Sequence, residues 1–292
     1  VALEKHVISA AHVELALGAP EELLQPGVGA DVLHWINSQA VPQQHKLGAA
    51  AIWLLSEQDI RHFSGDLSEP TPARYPAAQD HVITRYGILQ LAMARSFGVP
   101  FGVTDQRNGV LIQDVFPRDG LLDRPNSGLG AHQPFDFHTD QAFSADPAKR
   151  PDYVTLACVR NHERATTGIV AVSDVLEQLP ADVLSILEGS QYGFYRGRPE
   201  EAIGVDTGAI IVHNKAGTAI RLGGDTLGLS DEATEALKML RQVLSTTPRA
   251  SVALEPGEVL VFHNGITIHI REGFKPMNCQ AERRWIQKIY IK

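Results

Sequence analysis

The sequence predicts an α+β protein dominated by a β-sandwich core of the jelly-roll type, with a helical N-terminal region and helical insertions. Three observations lead there: strand-like apolar runs recur from Phe101 to the end, helical spacing fills the N-terminal third, and two further helical patterns interrupt the strands. Many short strands with sizeable helical insertions close most readily as a double-sheet barrel. No internal repeat or low-complexity linker divides the 292 residues, so residues 1–292 read as one domain with a helical shoulder.

The elements follow in order. Ala11 to Leu24 and Ala30 to Trp35 carry apolar residues at three- and four-residue spacing, broken by Gly18-Ala19-Pro20 and Pro26-Gly27. Ala49 to Leu55 reads as a buried strand. Asp80 to Phe97 reads as an amphipathic helix with Ile83, Tyr86, Leu89, Leu91 and Ala94 on its apolar side. Gly109 to Pro117 is a strand signal ending at a proline, and Arg118 to Gln133, rich in Gly, Asp, Pro and Asn, is a long loop. A loop of that length ahead of a functional strand is more often a binding loop than filler. Phe137 to Phe143 and Tyr153 to Val159 read as strands. Ser173 to Glu188 reads as helix, restarting at Pro180 because proline is tolerated in a first turn. Ala209 to His213 and Thr218 to Leu222 are short strands, followed by the loop Gly223-Gly224-Asp225. Ser230 is a good N-cap for a helix with the stripe Ala233, Ala236, Leu237, Leu240, Val243 and Leu244. Val259 to His263, a tight turn at Asn264-Gly265, Ile266 to Arg271 and Arg283 to Lys292 complete the β pattern.

Composition narrows the function classes. A net charge of −8 argues against a nucleic-acid binder and against a membrane-surface protein. No apolar run approaches the ~18–20 residues of a membrane span. The first residues have no basic n-region and no apolar h-region, so no signal peptide is expected. Cys158 and Cys279 form neither a disulfide framework nor a CxxC, and suit a reducing cytoplasm.

The chemistry concentrates in Phe137-His138-Thr139-Asp140-Gln141-Ala142-Phe143. In an extended segment, residues two apart point to the same side, so His138 and Asp140 can share a metal. A third ligand is available at His269, in a late strand-like run. Two His and one carboxylate with open positions are what a non-haem Fe(II) oxygenase needs; zinc accepts the same ligands, leaving a zinc-dependent hydrolase as the alternative. In the last strand, alternation puts Arg284, Ile286, Lys288 and Tyr290 on one face. Arg284 is the expected anchor for the far carboxylate of a 2-oxo diacid, with Lys288 adding charge and Arg283 the alternative if the register is reversed.

As a set, these segments resemble the clavaminate synthase-like branch of the TauD-like Fe(II)/2-oxoglutarate dioxygenases, which holds hydroxylases of free arginine, asparagine and lysine. The matching residues are Asn108 to Pro117, Ser127-Gly128, His138 to Phe143, Arg150 to Val154, Leu156 to Arg160, Ala165 to Thr167, His269 to Arg271, and Arg284 to Lys288. The resemblance implies a double-stranded β-helix core and iron ligands His138, Asp140 and His269. It implies that Arg284 binds 2-oxoglutarate with Thr167 hydrogen-bonded to it (Thr166 as fallback), that Arg271 supports the ligand strand, and that Gln106, Ser127 and Asp225 contact substrate.

This chain departs from the branch at two points. Many members have Glu where it has Asp140; a carboxylate there still implies hydroxylation rather than halogenation. Arginine hydroxylases of the branch carry two acidic residues in the loop that here reads Gly223-Gly224-Asp225, which disfavours a guanidinium substrate. The expected reaction is hydroxylation, desaturation or cyclisation at an unactivated C–H bond of a small amino-acid-like molecule. O2 and 2-oxoglutarate would be consumed, with succinate and CO2 as co-products.

Overall fold

A computed structural model describes residues 2–41, 49–104, 106–196, 205–214 and 217–292. The N-terminal third holds β1 (Glu4–Val7), α1 (Ala10–Leu17), α2 (Gly29–Ser38), β2 (Ala50–Leu54), α3 (Glu57–His62), α4 (Ser64–Ser68) and α5 (Arg85–Arg95). Then come β3 (Pro100–Phe101), β4 (Gln113–Val115), β5 (Phe135–His138), β6 (Tyr153–Arg160) and β7 (Thr167–Ala171). An insertion follows, with α6 (Val172–Leu176), α7 (Ala181–Leu187), β8 (Tyr192–Tyr195), β9 (Val205–Gly208), β10 (Ile211–Asn214), β11 (Gly217–Ile220), β12 (Leu227–Gly228) and α8 (Asp231–Thr246). The chain closes with β13 (Ala250–Val252), β14 (Glu258–His263), β15 (Thr267–Arg271) and β16 (Trp285–Ile291).

The larger sheet has seven strands, β1-β2-β14-β6-β16-β3, with β4 also paired to β16; the second has four, β13-β7-β15-β5. Side-chain alternation explains how they stack. On β6, Val154, Leu156 and Cys158 join Leu260 and Phe262 of β14, Ile286 of β16 and Ile169 of β7 in a core between the two sheets. Ala157, Val159, Val261 and Ile289 point the other way, into a core shared with α1, α2 and α5. With both faces covered, β6 must be apolar at nearly every position, and so reads as an unbroken hydrophobic run. The far face of the four-stranded sheet, through Val170, Ile268 and Ile270, packs on α6, α7 and α8.

The structure adjusts several sequence readings. The helix expected over Asp80 to Phe97 contracts to α5, whose Tyr86 to Ala94 are all buried, so it is a core helix rather than an amphipathic one. The strand expected over Gly109 to Pro117 shortens to β4, and the last strand starts at Trp285 rather than Arg283. The short strands expected over Ala209 to His213 and Thr218 to Leu222 sit at β10 and β11, shifted by one or two residues. The Ser230 cap is present, its hydroxyl accepting from the Ala233 amide. Among the described residues, no helix is long and apolar enough to cross a membrane.

Candidate active site

Between the two sheets opens a cavity of about 440 Å³, lined from β4, β5, β6, β7, β15 and β16 and by the loops at 126–129, 139–143 and 223–226. Strand β15 is central to it. Ile268 and Ile270 face the apolar core, so period-2 alternation turns His269 and Arg271 into the cavity. His269 pairs in register with His138 of β5, and Arg271 with Thr167 of β7.

The three expected metal ligands meet here. The His138 and His269 rings lie 4.0 Å apart by their centroids, and His269 Nε2 is 3.8 Å from Asp140 Oδ2. His138 Nδ1 is 2.6 Å from the Asp136 carbonyl, which can only accept, so Nδ1 carries the proton and Nε2 keeps its lone pair. Burial lowers the pKa of both imidazoles, that of His269 furthest, so both are neutral donors at pH 7. Asp140 Oδ2 is buried without a hydrogen-bond partner, which is costly unless something positive completes it. This donor set suits a divalent metal of the two-His, one-carboxylate type. Among the described residues, however, no three such side chains already stand in a closed metal-binding arrangement, so these are converging donors rather than a finished cage.

One correction concerns how they converge. Strand β5 ends at His138, and Asp140 lies in the turn beyond it, so strand alternation does not place the carboxylate. Asn264, at the turn between β14 and β15, does so instead. Its Oδ1 accepts from the Asp140 amide at 2.7 Å, and its Nδ2 donates to the carbonyls of Asp140 at 3.1 Å and Pro151 at 3.0 Å. Gly265 follows at φ 143°, a conformation glycine adopts readily. Asn264→Ala strips the Asp140 amide of its partner and is expected to destabilise the fold by about 1–3 kcal/mol in urea unfolding. An unchanged midpoint would contradict the clamp.

Lys288 lines the same cavity as Arg284, as expected, but its charge is directed elsewhere. Its ammonium donates to Asp140 Oδ1 at 2.9 Å and to the Tyr290 hydroxyl at 2.7 Å. Burial pushes the Asp140 carboxyl up, but Lys288, then the two imidazoles, outweigh it and hold the group below the usual carboxylate range. The Tyr290 phenol, pushed up to about 12 by burial, stays protonated.

The other end of the cavity is cationic. Arg284 is 5% exposed, its Nε has no hydrogen-bond partner, and among the described residues it forms no salt bridge. Burial draws its pKa down to about 10, and that of Arg271, burial first and Arg284 second, also to about 10. Arg271 already donates to the carbonyls of Ala131, Ser127 and Glu272, tying the loop before β5 to β15. Thr167 is buried on the cavity wall, whereas the Thr166 carbonyl accepts from the Glu272 amide and Thr166 is not on that wall. Arg283 faces away, bound to Asp119, the Met277 carbonyl and Gln280. Of the two arginines, Arg284, immediately before β16, is the one on the cavity wall.

The expected substrate residues all reach the cavity wall. Gln106 forms a reciprocal amide pair with Gln141, at 2.7 and 2.9 Å. Ser127 spends its hydroxyl oxygen on the Leu129 amide. Asp225 Oδ1 accepts from Asn126 Nδ2 at 3.1 Å. A Cβ at Gly224 would fall 2.2 Å from Asn126 Cγ, so the Asn126 amide fills the space of a side chain at that position. Asn126, Gln141 and Asn264 were missed in the sequence. Asn126 (φ 50°) and Gln141 (φ 62°) adopt the left-handed conformation, which only the turn-rich composition around Asn126 hinted at.

Residues 89–290 match the profile of the taurine catabolism dioxygenase TauD, TfdA family. L-asparagine oxygenase of Streptomyces coelicolor is 27% identical over 232 residues, covering 76% of this chain and 66% of that protein. Clavaminate synthase 2 of Streptomyces clavuligerus is 29% identical, covering 76% and 69%. L-lysine 3-hydroxylase of Catenulispora acidiphila is 26% identical, covering 73% and 60%. The chain thus spans about two thirds of the length of these relatives. Among solved structures, an asparagine oxygenase in complex with Fe(II), 2S,3S-3-hydroxyasparagine and succinate superposes with a TM-score of 0.74 at 20% identity, covering 98% of this chain and 93% of that one. The non-heme iron oxygenase OrfP in complex with Fe, succinate and (3S)-hydroxy-L-Arg gives 0.74 at 19% identity, covering 99% and 94%.

Proposed function

Because the chain belongs to the taurine catabolism dioxygenase TauD, TfdA family, we propose that it is an Fe(II)- and 2-oxoglutarate-dependent oxygenase that hydroxylates a small amino-acid-like molecule. One observation carries this reading: a buried guanidinium that forms no salt bridge among the described residues shares a cavity with two neutral imidazoles and an orphaned carboxylate oxygen. A 2-oxo diacid answers both ends at once, with its keto-acid end at the metal and its far carboxylate at Arg284. The zinc-hydrolase alternative gains nothing from the relatives, which are oxygenases and hydroxylases.

In this reading, His138, Asp140 and His269 hold the iron. Arg284 grips the far carboxylate of 2-oxoglutarate with Thr167 beside it, and Arg271 keeps the neighbouring loop closed over them. Lys288 acts on the metal carboxylate rather than on 2-oxoglutarate. When bound, the iron supplies the redox chemistry that couples O2 and decarboxylation of 2-oxoglutarate, to succinate and CO2, with oxidation of a C–H bond. The walls exclude water with Phe143, Phe194 and Tyr195. The two sheets enclosing the cavity are read as a double-stranded β-helix within one catalytic domain, supported by the core residues they share.

The substrate is read as a free amino acid or derivative meeting Gln106, Ser127 and Asp225. With Asn126 filling the space beside Gly224, the distal wall presents a single carboxylate. Asp225 Oδ1 already accepts from Asn126 Nδ2, so one oxygen is left for the substrate; that suits a head group with one nitrogen donor better than a guanidinium fork, which engages both oxygens of a carboxylate. Asp225→Asn is expected to raise the substrate KM about tenfold, the loss of one charge-assisted hydrogen bond, without moving that of 2-oxoglutarate. The test of the activity is succinate release across a panel of amino acids. Turnover must require Fe(II), 2-oxoglutarate, O2 and one amino acid together; turnover supported by zinc with 2-oxoglutarate untouched would refute the reading.

A further inference from the structure

Tyr290 is the polar junction of the cavity. It is 1% exposed, lies two residues beyond Lys288 on the inner face of β16, and its ring packs against Phe101 at 5.9 Å. Its hydroxyl is 3.0 Å from Asp140 Oδ1, 2.7 Å from Lys288 Nζ and 3.2 Å from Gln141 Nε2.

Chemistry fixes the direction of each bond. An ammonium can only donate. Gln141 Nε2 donates to the hydroxyl as well, and the Asp140 carboxylate is the strongest acceptor within reach of the phenolic proton. The Tyr290 oxygen therefore accepts from both, and its one proton goes to Asp140 Oδ1. That oxygen then receives two hydrogen bonds, from Lys288 and Tyr290, while Oδ2 receives none. Lys288 alone, on a flexible four-carbon stem, holds a carboxylate less firmly than a phenol on a rigid, packed ring.

We propose that Tyr290 is a positioning residue for the metal carboxylate: it pins Asp140 Oδ1, so that Oδ2 alone is offered to a metal shared with His138 and His269. The proposal rests on the iron reading above. It explains how the short arm of an aspartate serves here. A carboxylate free to swing would chelate through both oxygens and take up a position that a bidentate 2-oxo acid needs; one held by Tyr290 stays monodentate.

The test is a Co(II) titration of the full chain, followed in the visible spectrum. Tyr290→Phe removes only the hydroxyl. It is expected to weaken Co(II) by about 10–100-fold, the usual cost of losing a group that orients a ligand. It should also lower the molar absorption of the bound Co(II), as Asp140 turns bidentate and the coordination number rises. The 2-oxoglutarate affinity at saturating metal, read by calorimetry, should fall by at least about threefold, because the freed Asp140 carboxylate takes up a position that the keto acid needs. Phe101→Leu loosens the ring packing but keeps the hydroxyl, and should bind Co(II) within about threefold of the native chain. Should Tyr290→Phe not fold by circular dichroism, Gln141→Leu, which frees the hydroxyl to turn from Asp140, should weaken Co(II) at least threefold. An unchanged Co(II) affinity in the folded variant, or an equal loss in Phe101→Leu, overturns the proposal. Native protein that binds no Co(II) overturns the metal reading beneath it.

Discussion

Replacing Arg284 by alanine is expected to raise the dissociation constant for 2-oxoglutarate about a hundredfold while leaving iron binding within about threefold. Truncating one partner of a buried, hydrogen-bonded charge pair costs about 2–5 kcal/mol, and the lower part of that range corresponds to this loss. Arg284 qualifies because it is 5% exposed and its Nε has no protein partner to fall back on. Arg271 cannot replace it, since its guanidinium is already committed to the carbonyls of Ala131, Ser127 and Glu272. Arg284→Lys should recover only part of the affinity, because an ammonium cannot present the planar fork that matches a carboxylate. Calorimetry with 2-oxoglutarate at saturating Mn(II) separates the two affinities. Equal losses of both would mean that Arg284 supports the fold rather than the co-substrate.

His269→Ala is expected to abolish specific iron binding. Removing a ligand costs more than the roughly 10–100-fold seen when a group that merely orients one is lost. The fold should survive, because β15 is held to the apolar core by Ile268 and Ile270 and to β7 by a continuous ladder, none of which needs the imidazole. The loss should also be specific: His263, only 8% exposed and T-stacked on Tyr153, lies off the cavity wall, and His263→Ala should leave iron affinity unchanged. Retained iron affinity in His269→Ala, measured by anaerobic titration, would remove this histidine from the ligand set.

Much of this site was legible in the sequence because strands have a period of two. That period places Ile286, Lys288 and Tyr290 of β16 on one face, and the structure puts them on the cavity wall with Arg284, which sits just before the strand and ahead of a register shift at Trp285/Ile286. It also turns His269 and Arg271 inward while Ile268 and Ile270 face the core. Where the chain leaves a strand, periodicity loses its hold. Asp140 is beyond the end of β5, and its position depends on Asn264, more than a hundred residues away. The partner of Lys288 is therefore Asp140, which no local pattern encodes. Asn126 filling the space beside Gly224 depends likewise on two loops meeting in three dimensions, one of them with left-handed backbone. The strands missed altogether, β1, β3, β7, β8, β9, β12 and β13, are two to five residues long, so tertiary pairing rather than local pattern makes them strands.

The most direct test of the central claim is an anaerobic titration of the full chain with Fe(II) and 2-oxoglutarate together. The account predicts a visible charge-transfer band that needs both, saturates at about one equivalent of each, and disappears in His269→Ala. It also predicts that the band shifts to higher 2-oxoglutarate concentration in Arg284→Ala. Tight Fe(II) binding with no such band at any 2-oxoglutarate concentration would contradict it.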